Sequence, residues 1–170
     1  MESTSPARFT HRPVEDADLS DICAFPRDAD ELFFCFPTAT FPLTSRQLRE
    51  AVARRADATV ALLDGRVAAF ANFHHWKTGG RCAIGNVMVD PLARGRGAAR
   101  YLVSWMVDLA FTKHRAVEVG VSCFNRNTAG LLLYAGLGFG PHAVEERRDT
   151  RGNHVALIHL RLPRPTDLPG

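Results

Sequence analysis

Hydrophobic residues recur along the chain in two periods, which predict alternating strands and helices. From Ala98 onward, apolar residues at 98, 102, 105 and 109 fall at intervals of four, three and four, which indicates a helix with one buried stripe. Asp64-Gly65 separates two apolar runs and supplies the positive backbone angles of a tight turn, which predicts a hairpin of 58–63 with 66–74. Further strands are expected at 9–12, 82–89, 117–123, 144–149 and 154–160, and further helices at 14–24, 44–56 and 128–137. This order predicts an α/β fold, a mixed sheet with helices on both faces.

Length and composition narrow the class of protein. The 170 residues, 46% of them hydrophobic, suit one domain over 1–170, with the proline-rich segment 162–170 as a flexible tail. A net charge of +3 is too small to indicate a nucleic-acid partner. The cysteines show no C-x-x-C pairing or zinc-type histidine spacing, so no metal is expected. Without an apolar signal core or membrane span, we expect a cytoplasmic protein with no membrane partner.

The segment from Val87 to Leu102 runs from a strand through a glycine-arginine loop into the amphipathic helix. Gly95 and Gly97 let backbone N–H groups approach an anion closely, and Arg94 and Arg96 supply positive charge. A P-loop would need Lys-Ser or Lys-Thr after the last glycine, and a dinucleotide-binding loop would need a third glycine at position 100. Neither is present, yet the loop still predicts binding of a nucleotide-like phosphate group.

A second motif follows at 122–139, where a strand ends in an asparagine turn and a helix leads to Gly138-Phe139. The first motif, with Arg94, Gly97 and Ala99, and the second, with Asn127, Leu133-Tyr134 and Gly138-Phe139, resemble the GCN5-related N-acetyltransferases (GNAT family). Gly130 departs from the family pattern, which usually has alanine there, at a cost of about 1 kcal/mol in helix stability. The resemblance implies a mostly antiparallel sheet in which the strands ending at Val89 and Cys123 splay apart.

The resemblance also implies acetyl-CoA as co-substrate. Backbone groups of Val87, Met88 and Val89 would bind the pantetheine arm and the thioester oxygen, and Asn127 would hydrogen-bond the arm. Tyr134 would stand beside the sulfur as the general acid that protonates the departing thiolate. The pyrophosphate would be held by the residues of the loop and the helix start, namely Arg94, Gly95, Arg96, Gly97, Ala98 and Ala99.

Three further segments, at 26–37, 70–73 and 122–125, resemble a bacterial subgroup that acetylates C-terminal lysines of peptides. This implies a lysine of a peptide or protein as acceptor, with Phe33, Phe36 and Asn72 in contact with it. Because Gly85-Asn86-Val87 offers no carboxylate, we expect Glu31 to be the general base, acting through water and with a pKa raised by its apolar neighbours. Binding of amine that is already neutral is the alternative to a base.

Two other functions remain open on the sequence. The protein could acetylate a small amine, such as a polyamine or an aminoglycoside antibiotic, although the aromatic residues around 33–41 disfavour a strongly acidic cleft. It could also be a CoA-binding module without turnover, which Tyr134 at the family spacing argues against. No sequence feature indicates an oligomeric state.

Overall fold

The computed structural model describes residues 8–166, which form one seven-stranded sheet with helices on both faces. The strand order is β1-β2-β3-β4-β5-β7-β6, and β4 with β5 is the parallel pair among otherwise antiparallel neighbours. The strands are β1 (Phe9–Pro13), β2 (Ala56–Leu63), β3 (Arg66–Trp76), β4 (Arg81–Val89), β5 (Glu118–Phe124), β6 (Gly140–Arg148) and β7 (His154–Pro163). The predicted mixed, mostly antiparallel α/β sheet is confirmed.

Five helices cover the sheet within this part of the chain: α1 (Leu19–Cys23), α2 (Ala29–Cys35), α3 (Ser45–Arg54), α4 (Ala98–Thr112) and α5 (Thr128–Gly136). The helix predicted at 14–24 is instead a short 3-10 turn, Asp16–Asp18, followed by α1. No helix was predicted at α2, although Asp28 caps it by accepting a hydrogen bond from the backbone N–H of Glu31. The other predicted helices agree with the structure to within a few residues.

Two main hydrophobic cores lie on opposite faces of the sheet, beside a small third cluster of Phe33, Phe124 and Val155. The larger one packs α4 against the central strands, with Leu102, Val103 and Met106 completely buried. Trp105 and Leu109, predicted for the buried stripe, are half-buried at its margin. The second core lies between β2, β3 and the α1 to α3 layer. Close packing on both faces fixes the positions of the central strands, where the site is built.

The parallel strands β4 and β5 separate part-way along their length. They pair from Arg81 opposite Glu118 to Ile84 opposite Val121 and no further. Just beyond the last pair, the register between β3 and β4 shifts at Asn86, which has a φ of 48°. Asparagine tolerates this left-handed conformation better than most residues, and the resulting bulge bends β4 away from β5. We call the opening between the two strands the fork; it confirms the expected splay.

The C-terminal segment is partly ordered by the sheet. Strand β7 continues to Pro163, and the backbone N–H of Arg164 donates to the carbonyl of Val117. The expectation of a flexible tail from 162 is therefore wrong for its first residues, because β5 provides partners for them. The tail residues after 166 lie outside the described part. Within 8–166, no helix has the length and apolar character needed to cross a membrane.

Candidate active site at the strand fork

A cavity of about 640 Å³ opens at the fork, between the end of β4, the loop before α4, and the start of α5. Helix α2 forms its remaining wall through Glu31, Phe34 and Cys35. The structure brings most of the predicted site residues to this cavity: Glu31, Val87, Met88, Val89, Arg94, Gly95, Gly97, Ala98, Ala99, Asn127 and Tyr134. Arg96 lies in the same loop but does not line the cavity wall.

The loop before α4 is shaped as a binding site for an anion. Gly95 and Gly97 have φ values of 73° and 92°, which side-chain-bearing residues rarely adopt. Gly97 is the N-cap of α4 and has no side chain to satisfy the first N–H groups of the helix, which therefore face the cavity at Ala98 and Ala99. Free N–H groups at the start of a fifteen-residue helix fit a pyrophosphate.

Arg94 and Glu31 form an ion pair across the cavity mouth, and this pairing changes the role expected of Glu31. Two hydrogen bonds of 2.8 and 3.0 Å join the guanidinium to the carboxylate, and Arg27 binds the same carboxylate. The hydrogen bonds from Arg94, followed by those from Arg27, hold the pKa of Glu31 well below its usual range. The expectation that apolar neighbours raise this pKa is wrong, because the hydrogen bonds from Arg94 and Arg27 outweigh the raising effect of partial burial. A carboxylate of such low basicity is a poor proton acceptor.

Tyr134 has the properties expected of a proton donor. Its side chain is buried, packs edge-on against Phe139, and lines the cavity. Burial raises the pKa of the phenol far above its usual value, and the neighbouring Cys123 and Cys35 thiols add to the shift. The hydroxyl therefore keeps its proton at neutral pH, when a departing thiolate would need it.

Asn127 and Gly130 together form the start of α5. The Asn127 side-chain oxygen accepts a hydrogen bond of 3.0 Å from the Gly130 N–H, so it caps the helix and leaves the amide nitrogen for other contacts. A Cβ atom at position 130 would lie 2.7 Å from this nitrogen and 2.8 Å from the sulfur of Cys123. Glycine at 130, which the sequence motif marks only as a departure, thus avoids two close side-chain contacts that alanine would make.

The residues expected to contact the acceptor do not line the cavity. Phe33 stacks on Phe124 of β5 at 4.4 Å between ring centroids, and Phe36 is buried in the second core. Asn72 is completely buried and donates to the side-chain oxygen of Asn86. The side-chain nitrogen of Asn86 in turn donates to the Cys35 carbonyl. Asn72 therefore supports the bulge that opens the fork, and the expected contact of these three residues with an acceptor is not supported by their positions.

Comparison with known proteins agrees with this geometry. Residues 23–139, more than half of the chain, match the Acetyltransferase (GNAT) family. The chain belongs to this family. It is thus an acetyl-CoA-dependent acetyltransferase, and both sequence motifs lie within the matched region. None of the curated proteins is significantly similar to it in sequence.

Solved structures share the fold of this acetyltransferase at low sequence identity. A GCN5-related N-acetyltransferase from Kribbella flavida is 25% identical, with a TM-score of 0.73 over 92% of this chain and 98% of that one. The ribosomal-protein-S18-alanine N-acetyltransferase of Escherichia coli is 21% identical, with a TM-score of 0.71 over 96% and 100%. The yncA protein of Salmonella typhimurium, solved with its cofactor acetyl-CoA, is 19% identical, with a TM-score of 0.69 over 95% and 96%.

The acetyltransferase also carries polar residues near the fork that the motifs do not mark. Arg55, just after α3, lies over the Phe36 ring and donates a hydrogen bond of 3.2 Å to Asn72. Its guanidinium and the His74 ring both lie against Gly85, the first residue of β4 beyond its last pair with β5. Only contacts between distant segments reveal this cluster. No group of side chains suited to a metal ion occurs in 8–166.

Proposed function

We propose that this acetyltransferase transfers the acetyl group of acetyl-CoA to the side-chain amine of a lysine in a peptide or protein. The amine attacks the thioester directly in a ternary complex, and Tyr134 protonates the departing thiolate. The observation that carries the proposal is the single cavity that unites the free N–H groups at the start of α4 with the buried phenol of Tyr134. Val87, Met88 and Val89 would bind the pantetheine arm along the free edge of β4.

Arg55 lies against Gly85 at the fork, on the side that we call the acceptor side. This side favours a substrate with a negative charge near its amine. Arg55 is half-buried there, and burial lowers its pKa without an offsetting interaction from a carboxylate of residues 8–166. A partly desolvated guanidinium is stabilised by binding an anion. A lysine at the C-terminus of a peptide supplies a carboxylate close to the reacting amine, whereas a polyamine supplies only further positive charge. We therefore favour a C-terminal lysine as acceptor.

The free thiols are consistent with a reducing compartment. Cys23, Cys35, Cys82 and Cys123 are all unpaired, and burial raises the pKa of Cys35 to about 12 and that of Cys123 to about 11. Thiols of such high pKa are unreactive at neutral pH, so an acetylated-cysteine intermediate is disfavoured. We propose a cytoplasmic location on this basis.

The acceptor is tested by measuring CoA thiol release with three amines: a peptide ending in free lysine, the same peptide amidated at its C-terminus, and spermidine. We expect the highest kcat/KM for the free-acid peptide. Replacing Arg55→Met should lower that value roughly tenfold, which corresponds to about 1.4 kcal/mol, and leave the amidated peptide unaffected. Arg54→Met, the exposed neighbour at the end of α3, is the matched control. Equal or faster turnover of spermidine would contradict the proposal.

A further inference from the structure

Three polar side chains on neighbouring strands form a hydrogen-bonded row beside the fork. Ser122 on β5 lies opposite His159 on β7, and its hydroxyl oxygen is 2.8 Å from Nδ1 of the imidazole. The other ring nitrogen, Nε2, is 3.0 Å from a carboxylate oxygen of Glu145 on β6. The row therefore runs from the centre of the sheet to its edge strand.

The inner end of this row lies where β4 and β5 part. Ser122 directly follows Val121, the last β5 residue paired with β4. Because Val121 and Cys123 belong to the core under α4, strand alternation places Ser122 on the opposite face. Phe124, two residues on, confirms this by stacking on Phe33 of α2. The Ser122 hydroxyl thus lies beside the fork on the face away from α4. It does not line the cavity described above, so it serves an amine that enters from this face.

The chemistry of the three groups fixes the direction of their hydrogen bonds. Hydrogen bonding from His159, and then from Arg147, lowers the pKa of Glu145, so this group is an ionised carboxylate that only accepts. In the neutral imidazole of His159 the proton therefore lies on Nε2, and Nδ1 accepts the Ser122 hydroxyl proton. The free lone pairs of the Ser122 oxygen can then accept a hydrogen bond from an incoming ammonium.

Other charged and titratable groups face this row from the adjacent strands. The His142 ring on β6 lies 6.4 Å from that of His159, and Arg147 pairs with the outer side of Glu145. His74 of β3, an exposed residue, also faces the row; partial desolvation of its ring against β4, with the positive charges of Arg55 and Arg81, lowers its pKa to about 4. His74 is thus neutral at physiological pH, and Glu145 is the carboxylate that compensates a charge formed on His159.

We propose that Ser122, His159 and Glu145 are the proton relay that deprotonates the acceptor amine. The inference rests on the proposed function and assigns the base that Glu31 cannot provide. Ser122 accepts a proton from the ammonium and passes its own to Nδ1 of His159, while Glu145 is a positioning residue that stabilises the imidazolium. A histidine suits this step because imidazole is the side chain that titrates near neutrality.

The proposed reaction is balanced in bonds and protons. Once the first proton has moved to His159, the nitrogen lone pair forms the C–N bond and the C–S bond breaks. The thiolate takes the phenol proton of Tyr134, and the phenolate recovers a proton from the second N–H of the attacking nitrogen. His159 then releases the first proton to solvent, so each turnover yields one amide, one thiol and one proton.

The test compares two acceptors that differ in the pKa of their amine: a lysine peptide, and the same peptide with an aminooxy analogue of lysine, which is neutral at pH 7. For His159→Gln we expect kcat at pH 7 to fall about 100-fold with the lysine peptide, to recover toward high pH, and to change little with the analogue. Ser122→Ala should behave in the same way. Ser122→Ala leaves every side chain of the β6–β7 hairpin unchanged. If His159→Gln fails to fold, Ser122→Ala therefore still tests the relay.

His154→Gln is the matched control, since His154 also pairs across this hairpin with a glutamate, Glu146, but far from the fork. It should leave both rates unchanged. Equal losses of His159→Gln and Ser122→Ala on both acceptors, or pH profiles like that of the wild type, would overturn the relay. A wild-type enzyme that binds acetyl-CoA in calorimetry but acetylates no lysine peptide would instead contradict the proposed function.

Discussion

Replacing Gly130 by alanine should destabilise the protein, although helix propensity alone predicts the opposite. In the middle of a helix, alanine is favoured over glycine by about 1 kcal/mol. The new Cβ would, however, lie within 3.0 Å of both the Asn127 amide and the Cys123 sulfur. Cys123 is buried in the core, so we expect overpacking of about 1–3 kcal/mol, with a further loss of up to about 1 kcal/mol if Asn127 no longer caps α5.

The balance of these values is a net loss between about 0 and 3 kcal/mol, and its midpoint of about 1.5 kcal/mol lowers Tm by about 3–6 °C for a domain of this size. Thermal unfolding followed by circular dichroism measures it. Gly136→Ala in the same helix is the matched control, because its Cβ would meet only the flexible end of Arg100 at 3.3 Å. An equal rise in Tm for both variants would refute the reasoning. Adding Cys123→Ala to Gly130→Ala should recover part of the loss, since it removes one of the two close contacts.

Two further predictions concern the site. Tyr134→Phe should lower kcat at least about tenfold and leave the KM for acetyl-CoA unchanged in steady-state assays, because it removes the proton donor and little else; an unchanged kcat would remove Tyr134 from the mechanism. Glu31→Gln should lower Tm at pH 7 by an amount that shrinks as the pH falls below about 4.5, since a carboxylate whose pKa is depressed on folding contributes stability above its unfolded pKa and loses it in acid. A Tm difference that stays constant from pH 7 to pH 3 would contradict the assigned ion pair.

Sequence patterns predict the parts of this protein that depend on local interactions. Helix α4, the glycines of the loop and the asparagine before α5 are all recognisable within short windows, and each lies where expected, although half of the predicted α4 stripe is only partly buried. The role of Glu31 could not be predicted in this way, because it depends on Arg94, which is 63 positions away. The Ser122, His159 and Glu145 row likewise exists only through the register of three strands.

Helix α2 is only partly predictable from the local sequence. Its capping residue, Asp28, and Glu31 three positions later are a local signal of a helix start, but the proline-bounded segment is short and its hydrophobic pattern is dominated by adjacent phenylalanines. The position of Asn72 does not support the expected acceptor contact, for a different reason. A polar residue in a strand suggests contact with a ligand, whereas here it satisfies a second buried amide at a bulge.

The contact between Glu31 and Arg94 joins helix α2 to the loop before α4, so a change in one of them alters the charge of the other's surroundings. A designer who exchanges α2 for that of another family member, in order to alter which amines are accepted, also removes the counter-ion of Arg94 in the loop before α4. Such a chimaera needs an acidic residue at position 31, or a neutral one at 94, to keep the charge of that loop in balance.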